Sequence, residues 1–182
     1  MNKPFAEKSA TLHTPRLTLR ALAPEDVEQA LAIFYSDKVK STYMLPDFPS
    51  RDAAVKLFDR LLALSHGGEH LVFGIYLENV LIGFLNDTEV DGGTVEVGYA
   101  LHPDYWNRGY ATEALTAVIE DLFRLGFVTV CAGYFEENPA SGRVMEKSGM
   151  HRIARTDTIE YRGAQHLCIY YEIHRSGFTN TL

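Results

Sequence analysis

Polar and apolar residues alternate from Arg16 to Leu22, the period of a strand with one buried face. The period then lengthens. Val27, Ala30, Leu31 and Phe34 recur at helical spacing, and Pro24 stands just inside the helix start. Residues 43–49 carry two prolines and two aromatics, which reads as a loop. Ser50 is placed to cap a second helix with Val55, Phe58, Leu61 and Leu62 on its buried side, ended by His66-Gly67-Gly68. Residues 71–77 and 80–90 predict strands joined by a tight turn at Glu78-Asn79, and Asp91-Gly92-Gly93 turns the chain into a strand over 94–101. The helix after Gly109 buries Ala111, Leu115, Val118, Ile119 and Leu122 and stops at Gly126. Residues 127–133 form a short apolar strand covered on both faces. Asn138 caps a further helix, Pro139 takes its first position and Gly149 ends it. A hairpin of residues 153–161 and 166–174, turning at Arg162-Gly163, completes the pattern.

Strand and helix signals are interleaved, so the expected fold class is α/β (mixed α+β), with about seven strands and about four helices. The 182 residues suffice for one domain with a real core. Its expected bounds are 14–176, with a flexible N-terminal tail over 1–13 and a C-terminal tail over 177–182. No apolar run approaches the roughly 20 residues of a membrane helix, and the first ten residues hold no apolar signal core. A cytoplasmic location is the resulting expectation. The net charge of −7 argues against nucleic acid or an anionic membrane as partner and suits a cationic amine. Cys131 and Cys168 each sit in an apolar run and read as small buried hydrophobes, with no C-x-x-C pattern and no expected disulfide.

The most informative stretch is 95–115, a buried strand, a polar loop and the start of an amphipathic helix. A helix N-terminus offers unpaired N–H groups and a dipole that favours negative charge. Gly109 lets a phosphate approach the backbone, and Arg108 places a fixed positive charge beside it. A pyrophosphate cradle on a strand–loop–helix unit is the physical reading; an ordinary strand-to-helix connection is the alternative. Neither G-x-G-x-x-G nor G-x-x-x-x-G-K-[ST] is present.

Three segments occur in order: V-E-V-G-Y at 95–99, W-N-R-G-Y-A-T-E-A at 106–114 and N-P-A-S-G-R-V-M-E-K-S-G-M at 138–150. Together with the opening T-P-R-L-T-L-R at 14–20, they resemble the GNAT N-acetyltransferase superfamily, in particular its RimJ/RimL-like branch. The resemblance runs from about Thr14 to the closing strand near His174. It implies a single-domain, mostly antiparallel sheet whose fourth and fifth strands splay, with a bulge near Gly98-Tyr99. It also implies acetyl-CoA as co-substrate. Backbone groups of Tyr99, Ala100 and Leu101 would bind the pantetheine arm, and the stretch Trp106, Asn107, Arg108, Gly109, Tyr110, Ala111 and Thr112 would cradle the pyrophosphate. The superfamily's loop usually begins with Gln or Arg where this chain has Trp106, which packs on the cofactor or on the core.

Transfer to an amine requires a group that takes a proton and one that returns it. Glu96 is the candidate base: it is charged, lies in a central strand and points opposite to Val95 and Val97. A structural salt bridge is its alternative role. By resemblance Ser141 is the candidate acid and Asn138 holds the cofactor arm or the surroundings of the acetyl group. The alternatives are a first-turn serine and an N-cap, and Tyr134 is a rival donor. The residues His66-Gly-Gly-Glu-His70 read as a solvated loop, and the scattered histidines imply no metal cofactor. Tyr43, Met44 and Phe48 form an aromatic wall on the acceptor side or part of the core. The acceptor is expected to be a protein N-terminus or another α-amine. An amino acid, polyamine or aminoglycoside is the alternative, as is a non-catalytic CoA-binding module. Edge strands allow a homodimer.

Overall fold

The computed structural model describes residues 3–178, which form one eight-stranded sheet flanked by five α-helices. The strands are β1 (Thr11–His13), β2 (Leu17–Arg20), β3 (Val72–Leu77), β4 (Val80–Asp91), β5 (Thr94–Leu101), β6 (Thr129–Phe135), β7 (His151–Tyr161) and β8 (Ala164–His174). The helices are α1 (Val27–Tyr35), the short α2 (Asp37–Lys40), α3 (Arg51–His66), α4 (Tyr110–Arg124) and α5 (Pro139–Lys147). The sheet order is β1-β2-β3-β4-β5-β6-β8-β7, antiparallel throughout except for the parallel pair β5–β6.

One apolar cluster lies under α4, with Leu115, Val118, Ile119 and Leu122 packed on Val95, Val97 and Val130 of the sheet. A second lies on the other face, where Ala30, Ile33, Phe34 and Phe58 of α1 and α3 meet Val72, Tyr76 and Phe84. The sheet is therefore covered on both faces at β3 to β5, whereas among the described residues the face of β6, β8 and β7 opposite α4 carries no helix. The turns follow the sequence closely. Glu78 and Asn79 both take positive φ (49° and 68°), as a two-residue hairpin loop requires, and Ser50 Oγ accepts from Ala53 N at 3.2 Å.

The structure revises three expectations. Of the expected 1–13 tail, residues 1 and 2 lie outside the described residues, and residues 3–13 are not loose: Thr11–His13 is the edge strand, and Phe5 is fully buried, stacked on Phe127 at 5.5 Å between ring centroids. Lys8 Nζ donates to the carbonyls of Ser65 and Gly67, each at 2.9 Å, and Ser9 Oγ donates to Asp121 Oδ1 at 2.6 Å. One aromatic in a polar decapeptide has no periodicity to betray it. At the other end Phe178 packs edge-on against Phe123 at 5.4 Å, and residues 179–182 of the expected C-terminal tail lie outside the described residues. Thirdly, the bulge lies in β4 rather than at Gly98-Tyr99. Asp87 pairs with Val97 and Glu89 with Glu96, so Thr88 is the extra residue. β5 stays in register with β4 from Val97 to Leu101 because Leu85 and Ala100 are locked into the two cores.

Candidate active site

β5 and β6 pair only at Thr94–Thr129, Val95–Val130 and Glu96–Cys131. Beyond Glu96 they separate, and the gap opens into a cavity of about 560 Å³ that runs from the α4 N-terminus to the loop before α3. Because β1 precedes the strands expected from sequence, the parting pair is fifth and sixth in chain order rather than fourth and fifth. Tyr99, Ala100 and Leu101 line the cavity along the unpaired edge of β5. The Leu101 carbonyl already accepts a hydrogen bond from Trp106 Nε1 at 2.8 Å, so it is less free than Tyr99 and Ala100. Trp106 also packs against both apolar clusters, so its core role and its place on the cavity wall coexist.

The loop into α4 is shaped for an anion. Gly109 is the N-cap with φ 81° and ψ 0°, the left-handed region, and it carries no side-chain cap for the first-turn amides. A Cβ there would also approach Arg16 Nη2 to 3.3 Å. Asn107, Gly109, Tyr110, Ala111 and Thr112 line the cavity; Arg108 is exposed and is not part of the wall. Arg16 is the basic residue that braces the loop: its Nη1 donates to the Arg108 carbonyl at 2.9 Å and its guanidinium lies 4.6 Å from the Tyr110 ring centroid. Glu113 anchors Arg16 through Oε2, 2.7 Å from Nε, while its Oε1 accepts from Thr14 Oγ1 and Arg16 N at 2.5 and 2.9 Å. Desolvation pushes the Glu113 carboxyl up, but the bonds from Thr14 and Arg16 outweigh it and hold the group below the usual carboxylate range. Arg143 and Lys147, one turn apart on α5, add positive charge to the same wall. Sequence reasoning missed both, although their i, i+4 spacing was readable. The unpaired β5 edge, the open helix N-terminus and this charge fit a CoA-type ligand.

The other half of the cavity carries a carboxylate and several hydroxyl groups. Glu96 points away from buried Val95 and Val97, as expected, and lines the cavity with its side chain 18% exposed. Its Oε1 accepts from Thr88 Oγ1 at 3.2 Å, and its Oε2 from Arg155 Nη1 at 3.1 Å. The ion pair posed as an alternative is therefore present in the same residue that faces the cavity. Arg155 in turn lies 3.9 Å from the Tyr170 ring centroid. Across the cavity, Ser141 Oγ lies 2.8 Å from Tyr99 Oη. Burial pushes the Tyr99 phenol up, against a smaller opposing effect of Ser141, so it remains a protonated partner. Asn138 occupies the α5 N-cap position and lines the cavity, but its side chain makes no capping bond. Tyr134 lies on the same wall, its ring against Gly142, where an added Cβ would come within 2.8 Å of it.

Three other readings can be placed. Cys131 and Cys168 are buried and free; burial, then Glu172 and Glu96, push the Cys131 thiol up to about 11, which suits an inert thiol. His66 Nε2 contacts the Leu22 carbonyl at 2.9 Å whereas His70 Nδ1 contacts Asp87 at 3.0 Å, so the two do not converge. Tyr43 and Met44 line the cavity, while Phe48 packs on Phe34 and Tyr35. No helix among the described residues is long and apolar enough to cross a membrane.

The same fold recurs in known proteins. Residues 16–151 match the family model described as an acetyltransferase (GNAT) domain. The uncharacterized N-acetyltransferase YoaA of Bacillus subtilis (strain 168) is 30% identical over 146 residues, 78% of this chain and 82% of that protein. The crystal structure of an acetyltransferase (GNAT family) from Bacillus anthracis superposes with a TM-score of 0.79 at 25% identity, over 91% of this chain and 99% of that one. RimL, a ribosomal L7/L12 alpha-N-protein acetyltransferase solved in complex with coenzyme A, shares the fold with a TM-score of 0.77 at 19% identity, over 90% of this chain and 97% of that one. With the splayed strands and the open α4 N-terminus, these matches establish that the chain belongs to the GNAT acetyltransferase family and is an acyltransferase that uses acetyl-CoA as co-substrate.

Proposed function

We propose that this enzyme acetylates an α-amino group, that of a protein N-terminus or a similar amine, by direct attack in a ternary complex. Acetyl-CoA supplies the activated acetyl group; the ammonium gives up one proton to the base and so to solvent before attack, and the second, lost from nitrogen in the tetrahedral intermediate, replaces the proton given to the departing thiolate. The observation that carries the reading is the position of Glu96, a carboxylate on the cavity wall at the point where β5 and β6 part. It takes the proton through an ordered water, and Thr88 and Arg155 fix its two oxygens. Ser141, hydrogen-bonded to Tyr99, returns a proton to the thiolate, and Asn138 orients the cofactor arm beside it. The backbone of 106–112 together with Arg143 and Lys147 holds the pyrophosphate.

The choice of acceptor rests on acidity. An α-amino group, with a pKa of about 7.7–8.0, has a usable neutral fraction at pH 7, whereas a lysine-type amine near 10.4 has almost none. A single water-linked carboxylate suits the first. The RimJ/RimL-like branch motifs and the fold shared with RimL support the same choice. A CoA-release assay with N-terminal peptides, free amino acids, polyamines and aminoglycosides tests it. Peptides or other α-amines should be turned over best. Exclusive turnover of a polyamine or aminoglycoside would replace the acceptor reading, and no turnover of any α-amine would overturn it. Glu96→Gln is expected to lower kcat by about 100-fold or more while acetyl-CoA affinity is kept. Unchanged turnover at neutral pH would remove Glu96 from the mechanism.

A further inference from the structure

On the face of the sheet that no helix covers, the register brings together three side chains far apart in sequence. His151 on β7 pairs with Glu172 on β8, and His174 follows two residues later on the same face. Ile173, between them, turns inward and is 4% exposed. His151 Nε2 lies 3.8 Å from Glu172 Oε1 and His174 Nε2 lies 3.0 Å from it; the three ligand atoms fall within 4.8 Å of one another.

We propose that His151, Glu172 and His174 form a binding site for a zinc-type divalent metal ion, separate from acetyl transfer, whose chemistry calls for no metal. Two imidazoles and one carboxylate are a common zinc donor set, leaving the fourth position to water. Tetrahedral bonds of about 2.0–2.1 Å place ligand atoms about 3.4 Å apart. The two distances to Glu172 bracket that value. His151 is 61% exposed and His174 49%, so each ring is free to make the remaining adjustment. His174 is also held from behind. His174 Nδ1 lies 3.0 Å from Thr129 Oγ1, a largely buried hydroxyl on β6 that both donates and accepts. With Thr129 accepting from Nδ1–H, the Nε2 lone pair is turned toward Glu172, the tautomer a metal requires. The ion would clamp edge strand β7 onto β8, just before the irregularity between Arg152 and Thr156 from which Arg155 reaches Glu96.

Calorimetric titration of tag-free, chelator-stripped protein with zinc chloride tests the site, with thermal melting alongside. One ion per chain should bind with micromolar affinity and raise Tm as ligand linkage requires. His151→Gln, Glu172→Gln and His174→Gln should each abolish binding, and Thr129→Val should weaken it by about tenfold. His70→Gln, which alters a different histidine–carboxylate pair, should change nothing. Retained acetyl-CoA binding in each variant shows that it is folded. Absence of binding at 100-fold the expected range, or binding that survives His151→Gln and His174→Gln, would overturn the proposal.

Discussion

The acid role proposed for Ser141 draws on the 2.8 Å contact between its Oγ and Tyr99 Oη. A serine hydroxyl is a poor acid alone, but one that can draw a proton from a neighbouring phenol as it gives up its own is a relay. The single phenolic hydrogen of Tyr99 is shared between Ser141 Oγ and the Ser141 carbonyl at 3.2 Å, and either bond fixes the first turn of α5 against β5. Removing the phenol should therefore affect both proton transfer and position. Ser141→Ala is expected to lower kcat by about 100-fold, Tyr99→Phe by about tenfold or more, and the double variant by no more than Ser141→Ala. Equal rates for Ser141→Ala and the wild type would assign the acid role elsewhere, and Tyr134→Phe is the variant to measure next, because Tyr134 shares the wall.

At the scale of elements, the cofactor loop depends on a brace between two segments of the motif set, 14–20 and 106–114. Arg16 at the head of β2 bonds the Arg108 carbonyl, and Glu113 in the first turn of α4 holds Arg16. Glu113→Gln leaves the Arg16 guanidinium without its counter-charge and should cost about 1.5–3 kcal/mol, with weaker acetyl-CoA binding. The pH dependence has a defined sign. The folded-state pKa of Glu113 is depressed, so its stabilisation is fully present above the ordinary carboxylate value of 4.5 and is lost as pH falls through the lower folded value. Urea unfolding of wild type and variant should differ at pH 7 and converge in acid; a constant difference down to pH 2 would remove this role. Legibility follows the same division. Local signals such as Ser50, the Glu78-Asn79 turn and Gly109 were readable because each depends on one residue's backbone preference. Arg155, Thr88 and the His151–Glu172–His174 cluster were not, because cross-strand register and a bulge place them, and neither leaves a periodic trace. The Phe5 segment was hidden for a related reason, since its partner Phe127 is distant in sequence.

Across the whole molecule, the end of the cavity lined by Tyr43 and Met44 is bordered by a contact between two parts distant in sequence. Tyr161 at the tip of β7 donates through Oη to the Leu45 carbonyl at 2.8 Å and accepts from Leu45 N at 3.2 Å. Beside it, Arg162 Nε lies 3.3 Å from Asp47 Oδ2 and its Nη2 3.7 Å from Asp37 Oδ1. These exposed ion pairs add little stability, so the buried side of the latch rests on the Tyr161 hydroxyl. The loop it holds presents Tyr43 and Met44 to the cavity, with Tyr43 Oη donating to Asn86 Oδ1 at 2.7 Å. The cofactor half is built on the α4 N-terminus and α5, and α5 meets the hairpin through Glu146 and Tyr171, away from the tip that carries Tyr161. Tyr161→Phe should therefore separate the two substrates: KM for the amine rises severalfold, acetyl-CoA affinity is unchanged, and global stability falls by about 1 kcal/mol. Steady-state kinetics with each substrate varied in turn decides the point. A parallel loss of affinity for both would mean that the hairpin supports the sheet as a whole, whereas a change confined to the amine identifies the loop before α3 as part of the acceptor site.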